Sequence, residues 1–365
     1  MKATVNTKDL IKALAQVNSI PKARQLAVLH SMLMEFSSNK LAIESTDLQC
    51  VIRVEIKAEA DTPFKLVLPR ATVNKFVNSS TIKDAITFTS GGADPHLNAT
   101  LEQTGVGKAV VQAVTPTDFP PIPTAPADLT WHTLDAKWFC RMLGILLTGC
   151  AKEESRPVLT GISFKDGAMA SADGFRLVCV KSDKLNLGLK EIIIPSQSAM
   201  AAKRLFEKEE TLMVGIQPDK YIIHFATKDC LLTSRLIQGA FPAYEQLIPT
   251  SFNSRLSVSA PLIVQRLKMI DERIVGSGII RLYTKEDNVL TLGARAEEFV
   301  DYEMTVPVKA SGESLKIAVQ HKLLMEAIKP FSLCTLEMSN PSSPIKVTGD
   351  IEELTVVVMP MFVQW

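Results

Sequence analysis

The 365-residue sequence has no run of 18 apolar residues, no CxxC pair among its six cysteines and no excess of either charge. The first absence leaves no candidate for a membrane-spanning helix. The second argues against a disulfide framework or a zinc ribbon. Cys50, Cys140, Cys150, Cys179, Cys230 and Cys334 are scattered through a chain large enough to need no staples, so reduced, mostly buried thiols are expected. The third, 40 Lys plus Arg against 39 Asp plus Glu, means that no global basic field announces a nucleic acid. A balanced total still allows opposed faces. The opening MKATVNTKDLIKAL sets polar and charged side chains where a signal peptide needs an apolar core, so a soluble protein of the cytoplasm is expected.

Local catalytic motifs are also missing. There is no GxGxxG opening a helix and no GxSxG elbow. GVGKA at Gly105 to Ala109 lacks the leading glycine of a phosphate loop and has Ala109 where a hydroxyl would hold magnesium, so it reads as a turn between strands. His30, His96, His132, His224 and His321 are dispersed without an HExxH, and are expected to be ordinary surface or partly buried rings. The carboxylate pairs Glu153 with Glu154, Glu209 with Glu210 and Glu297 with Glu298 are adjacent, so their side chains diverge where acid–base work needs convergence. No catalytic residue, metal or cofactor is expected. An enzyme with a site dispersed over a triplicated scaffold is the alternative from another class.

What is present is a repeat. An apolar fraction of 46% in 365 residues is enough for two or three cores. TVNTKDLIKAL, HTLDAKWFCRML and SVSAPLIVQRL each run from a short alternating piece into helical spacing, aligning Leu14, Leu143 and Leu267. KLVLPRATVNKFV, EIIIPSQSAMAAKRLF and LKIAVQHKLLMEAI align Pro69, Pro195 and Val319 as strand ends that lead into helices. TDFPPIP at Phe119 and Pro120 returns as GAFPAYEQLIP at Phe241 and Pro242. Three markers in one order divide the chain into units 1–125, 126–250 and 251–365. Between the helices lie alternating runs with turns at Asp166–Gly167 and Asp287–Asn288. The fold class is therefore α+β, with two helices and antiparallel sheet in each of three similar domains.

SRPVLTGISF leading into ASADGFRLVCV, then QGAFPAYEQLIP, then VVVMPM resemble the bacterial sliding clamp family, the β subunit of the replicative DNA polymerase. The resemblance implies a DNA clamp fold: a head-to-tail homodimer closing into a ring, sheets outside, two helices per domain inside, around duplex DNA. It implies no catalysis. Its partners would be the replicative polymerase, an ATP-dependent clamp loader, and repair and translesion polymerases.

Carried onto matching positions, the family's peptide-binding pocket would comprise Leu159, Gly174, Phe175, Arg176, Leu177, Pro242, Leu247, Val357, Met359, Pro360 and Met361. A channel lining should set basic residues opposite the apolar stripe of each helix, because phosphate attraction is blind to sequence. Lys8 and Lys12 stand on the first helix, Lys75 on the second, Lys137 and Arg141 on the third. Lys203 and Arg204 follow on the fourth, Arg266 and Lys268 on the fifth, Lys322 and Lys329 on the sixth. Arg24 matches a family position near the channel rim. The chain departs from the family at Ala172 and Phe175, where Thr and His are common, and in a tail from Phe362 to Trp365 that is expected to alter partner choice or partly fill the pocket. These departures also fit a specialised accessory clamp for a plasmid- or phage-associated polymerase.

Overall fold

The structure is a computed structural model that describes residues 1–365 apart from 21–25, 80–83, 92–97, 189, 271–277, 287, 296–300 and 365. Arg24, His96, Asp287, Glu297, Glu298 and Trp365 therefore lie outside the described residues. Among the described residues six α-helices appear in three pairs: α1 (Thr7–Val17) and α2 (Arg70–Ser79), α3 (Ala136–Leu146) and α4 (Ser196–Phe206), α5 (Ala260–Lys268) and α6 (His321–Ile328).

The helices start where local chemistry lets them. Asn6 caps α1, its side-chain oxygen accepting the Lys8 N–H at 2.9 Å and the Asp9 N–H at 3.3 Å. Pro261 occupies the first turn of α5, where its missing N–H costs nothing. Leu14, Leu143 and Leu267 occupy the same position in α1, α3 and α5 and are fully buried, as the repeat requires. The second marker needs one correction. Pro69 and Pro195 end their strands immediately before α2 and α4, but the strand Lys316–Gln320 ends at Gln320, so Gln320 rather than Val319 is the equivalent.

The chain divides into two compact units, Met1–Arg141 with Gln197–Leu236, and Met142–Ser196 with Ile237–Trp365. The first holds a twelve-stranded antiparallel sheet, with α1 packed on the strand Cys50–Ala60 and α2 on Phe64–Pro69. The second holds a nine-stranded and a four-stranded antiparallel sheet, with α5 on Ser254–Ser259 and α6 on Leu354–Val358. Sequence thirds do not coincide with these units because strands from adjoining thirds hydrogen-bond to each other. Cys50–Ala60 pairs with Cys230–Arg235 in the first unit, and Arg176–Lys181 pairs with Leu354–Val358 in the second.

The expected turns at Gly105 to Gly107 and Asp166–Gly167 are present, with φ of 74° at Gly105 and 74° at Gly167. All six cysteines are free and buried.

Two histidines depart from expectation by being fully enclosed. His321 donates its Nε2–H to the Leu267 carbonyl, 2.9 Å away. His224 lies on the face of its strand away from Phe225, whose ring meets Phe139 of α3. With the Gln217 amide donating to His224 Nε2 at 2.6 Å, the ring proton sits on Nδ1 and is donated to Thr233 Oγ1 at 2.9 Å. Burial holds this imidazole neutral, its pKa lowered to about 4.

Candidate peptide-docking cleft and basic helix faces

In the second unit the turn from Ala172 to Arg176 joins two neighbouring strands. Asp173 Oδ1 accepts the N–H groups of Phe175 and Arg176 at 2.9 and 3.0 Å, and Gly174 takes φ of 90°, a region that penalises a Cβ. Phe175, in this Asx-type turn, is exposed, whereas Leu177, in the strand that follows, is buried.

Three of the expected pocket residues belong to one packed cluster. Leu159, Leu177 and Val357 are buried together with Phe241 and Tyr244, whose rings meet edge to face at 6.1 Å. Leu177 sits directly across from Val357 in the strand register, and the Met359 N–H then donates to the Phe175 carbonyl at 2.8 Å. Close in sequence to these residues are exposed apolar side chains: Phe175 at 60%, Leu247 at 56% and Met359 at 40%.

Arg176 is the one expected pocket residue with charge, and it is already neutralised. Its Nε bonds Asp173 Oδ2 at 3.0 Å and its Nη1 bonds Glu326 of α6, with the side chain nearly buried. It braces the turn rather than offering a free cation. Pro242 is exposed and Pro360 half-buried. Met361 is half-buried, and its N–H donates to the Ala318 carbonyl at 2.7 Å.

Of the tail, residues 362–364 are described. Arg281 holds the Gln364 carbonyl at 3.2 Å, and Phe362 projects into solvent at 89% exposure.

Phe241, Tyr244, Cys179, Ile193 and Ala170 complete the cluster and were not among the expected pocket residues. The first two stand in the FPAY segment and could have been chosen from its aromatic content. Cys179 and Ile193 are fixed only by cross-strand packing. Burial raises the Cys179 thiol and the Tyr244 phenol, so neither ionises near neutral pH. Tyr244 Oη is buried without a hydrogen-bond partner. Among the described residues no group of three His, Cys, Asp or Glu side chains is placed to hold a metal ion.

The basic residues lie on the solvent faces of all six helices. Lys8, Lys12, Lys75, Lys137, Arg141 and Arg204 are exposed, as are Lys268, Lys322 and Lys329. Lys203 and Arg266 are half-buried, and Lys203 is engaged by Glu207 one turn on at 3.2 Å.

Three similar domains of paired helices on antiparallel sheet are the architecture of the DNA clamp fold. Profiles of the DNA polymerase III beta subunit match throughout: the N-terminal domain over residues 1–106, the central domain over 133–243 and the C-terminal domain over 245–362. The chain belongs to the DNA polymerase III beta subunit family, a family of non-catalytic processivity factors. It is 24% identical over 381 residues to the beta sliding clamp of Synechococcus elongatus, covering 99% of each chain. It is 24% identical over 376 residues to that of Caulobacter vibrioides, covering 99% of this chain and 100% of the other. The DNA polymerase III beta subunit of Pseudomonas aeruginosa superposes over the full length of both chains with a TM-score of 0.90 at 20% identity. That of Thermotoga maritima does so with 0.88 at 20%.

Proposed function

We propose that this chain is a DNA sliding clamp that holds a replicative polymerase on its template through the cleft of the second unit. The observation that carries the reading is the buried cluster holding Leu159, Leu177 and Val357, close in sequence to the exposed Phe175, Leu247 and Met359. A short peptide with aliphatic and aromatic anchors gains about 1.5–3 kcal/mol for each side chain it buries. That supports a modest affinity, which suits partners that must exchange: polymerase, ATP-dependent loader, and repair and translesion polymerases. Tethering keeps each partner at high effective concentration, so a lost contact re-forms before the partner diffuses away.

The basic helix faces support a partner that is duplex DNA, held through phosphates without sequence reading. Two open sheet edges support a head-to-tail homodimer. Gly107–Gln112 ends the sheet of the first unit with Val110 at 68% exposure, and Asp301–Pro307 ends the four-stranded sheet of the second. Edge pairing between two copies would satisfy both edges and close a ring of six domains, three per chain at 1–125, 126–250 and 251–365. The loader would open one such joint and set the ring around DNA in the cytoplasm. No helix among the described residues is long and apolar enough to cross a membrane.

Phe175 and Ala172 favour a narrower second reading, an accessory clamp for a specialised polymerase, because both make the cleft mouth more apolar. Electron imaging with mass measurement on one sample tests the first reading. A six-lobed ring at twice the 40.0 kDa chain mass is expected. A compact monomer without a channel at every concentration would refute it.

A further inference from the structure

The first unit repeats the aspartate and backbone hydrogen bonds that frame the docking cleft. Asp47 Oδ1 accepts the N–H groups of Gln49 and Cys50 at 3.0 and 2.8 Å, as Asp173 Oδ1 does for Phe175 and Arg176. Leu48 takes φ of 75° where Gly174 takes 90°. Val51 sits across from Thr233 in the strand register as Leu177 sits across from Val357. The Arg235 N–H donates to the Gln49 carbonyl at 2.9 Å, matching Met359 and Phe175. The chain then enters the frame alike in both places. The Val114 N–H donates to the Val67 carbonyl and the Ile237 N–H to the Ile193 carbonyl, each at 2.9 Å, with Phe119 and Phe241 buried beneath.

At the position equivalent to the docking pocket this frame holds a real cleft, of about 360 Å³, floored by Val51, Thr233 and Ile222 and walled by Leu48, Pro120 and Pro123. A second cleft of about 290 Å³ continues it, sharing Val51, Pro123 and Thr233. The charge at its mouth differs from that of its counterpart. In the second unit Arg176 is neutralised by two carboxylates and Met359 closes the edge. Here Arg235 takes the place of Met359, is exposed, and is paired with no carboxylate among the described residues.

We propose that this cleft is a second docking site, taking a short acidic peptide segment of a partner protein: an aliphatic side chain on Val51 and Ile222, and a carboxylate on Arg235. The proposal rests on the reading of the second unit's cleft as a peptide pocket. Two clefts on one frame with opposite preferences would let one chain hold two partners of different charge at once, without competition.

Methyl-labelled full-length protein separates the two sites, because Leu48, Val51 and Ile222 report on one and Leu159, Leu177 and Val357 on the other. Acetyl-Glu-Glu-Leu-Val-Leu-amide is expected to shift the first set saturably, and Arg235→Glu, at an exposed position, to weaken that binding at least tenfold. Equal binding to the Arg235→Glu protein, shifts confined to the second set, or no shifts at all would overturn the proposal. Neutral acetyl-Ser-Leu-Leu-Phe-amide is expected to shift the second set. Its failure to do so would refute the parent reading independently of the acidic peptide's result.

Discussion

The turns at Asp47–Cys50 and Asp173–Arg176 have one backbone and two chemistries. In the second unit the left-handed residue is Gly174, the side chains around it are Phe175 and Leu177, and the opposite strand supplies Val357 and Met359. In the first the same places hold Leu48, Gln49, Val51, Thr233 and Arg235. The aspartate and backbone bonds recur in both turns, whereas Thr46 Oγ1, which accepts the Leu48 N–H at 3.0 Å and donates to the Cys50 carbonyl at 2.9 Å, has no counterpart at Ala172. The shared bonds hold the frame while the side chains that face a partner differ. Shape is carried by few residues, and specificity by the rest.

Truncating the two floors separates them most strongly. Leu177→Ala should destabilise the protein by roughly 3–4 kcal/mol through a cavity in the buried cluster and lower affinity for a Leu-Phe peptide at least tenfold. Val51→Ala should cost roughly 1–2 kcal/mol and leave that peptide's affinity unchanged. Denaturant titration and peptide anisotropy on both variants check the pair. Loss of Leu-Phe binding in Val51→Ala would break the distinction between the clefts.

Acid should strain the first unit before the second. Across from Thr233 stands buried, neutral His224, whereas across from Val357 stands Lys346, bonded to Glu337 at 3.1 Å. The folded-state pKa of His224 is about 4 against 6.5 unperturbed, so the unfolded chain binds the extra proton first. Its contribution is intact above pH 6.5 and is lost as pH falls toward 4, by about 3 kcal/mol in all. Hydrogen exchange between pH 7 and 4 should show protection falling first in Ile222–Ala226, with the slope flattened in His224→Gln. Equal loss in both units would contradict this.

The turns themselves give a smaller and opposed pair of effects. Gly174→Ala meets no atom within 4 Å yet takes on a left-handed backbone, so it should cost about 1 kcal/mol, whereas Leu48→Gly should stabilise by a similar amount. Thermal melts of the two variants should move in opposite directions. Smallest is Tyr244→Phe, which removes a buried hydroxyl without a partner and should be neutral or stabilising by up to about 1 kcal/mol.

The helix positions of Leu14, Leu143 and Leu267 were legible because helical spacing is local, and each falls at the same helix position in the structure. Val319 was one residue off because no proline marks the third strand end. Leu159, Leu177 and Val357 were found through family resemblance, since residues so far apart in sequence meet only by strand register. That same dependence concealed the second cleft. Of its turn only the aspartate is shared with the first, and Thr233 and Arg235 join it across a sheet rather than along the chain. His224 was misjudged for a related reason. An alternating strand shows which residues share a face, and not that Trp131, with its ring 6.2 Å away, helps cover that face.

Retention on closed DNA tests the central claim most directly. The protein would be loaded onto nicked circular duplex with a bacterial clamp loader and ATP, washed in high salt, and measured before and after the circle is cut. A sliding clamp is held by topology, so it should survive the wash on the circle and be lost from the linear molecule. Loss from both in salt, or equal retention on both, would show ordinary surface binding and contradict an encircling ring.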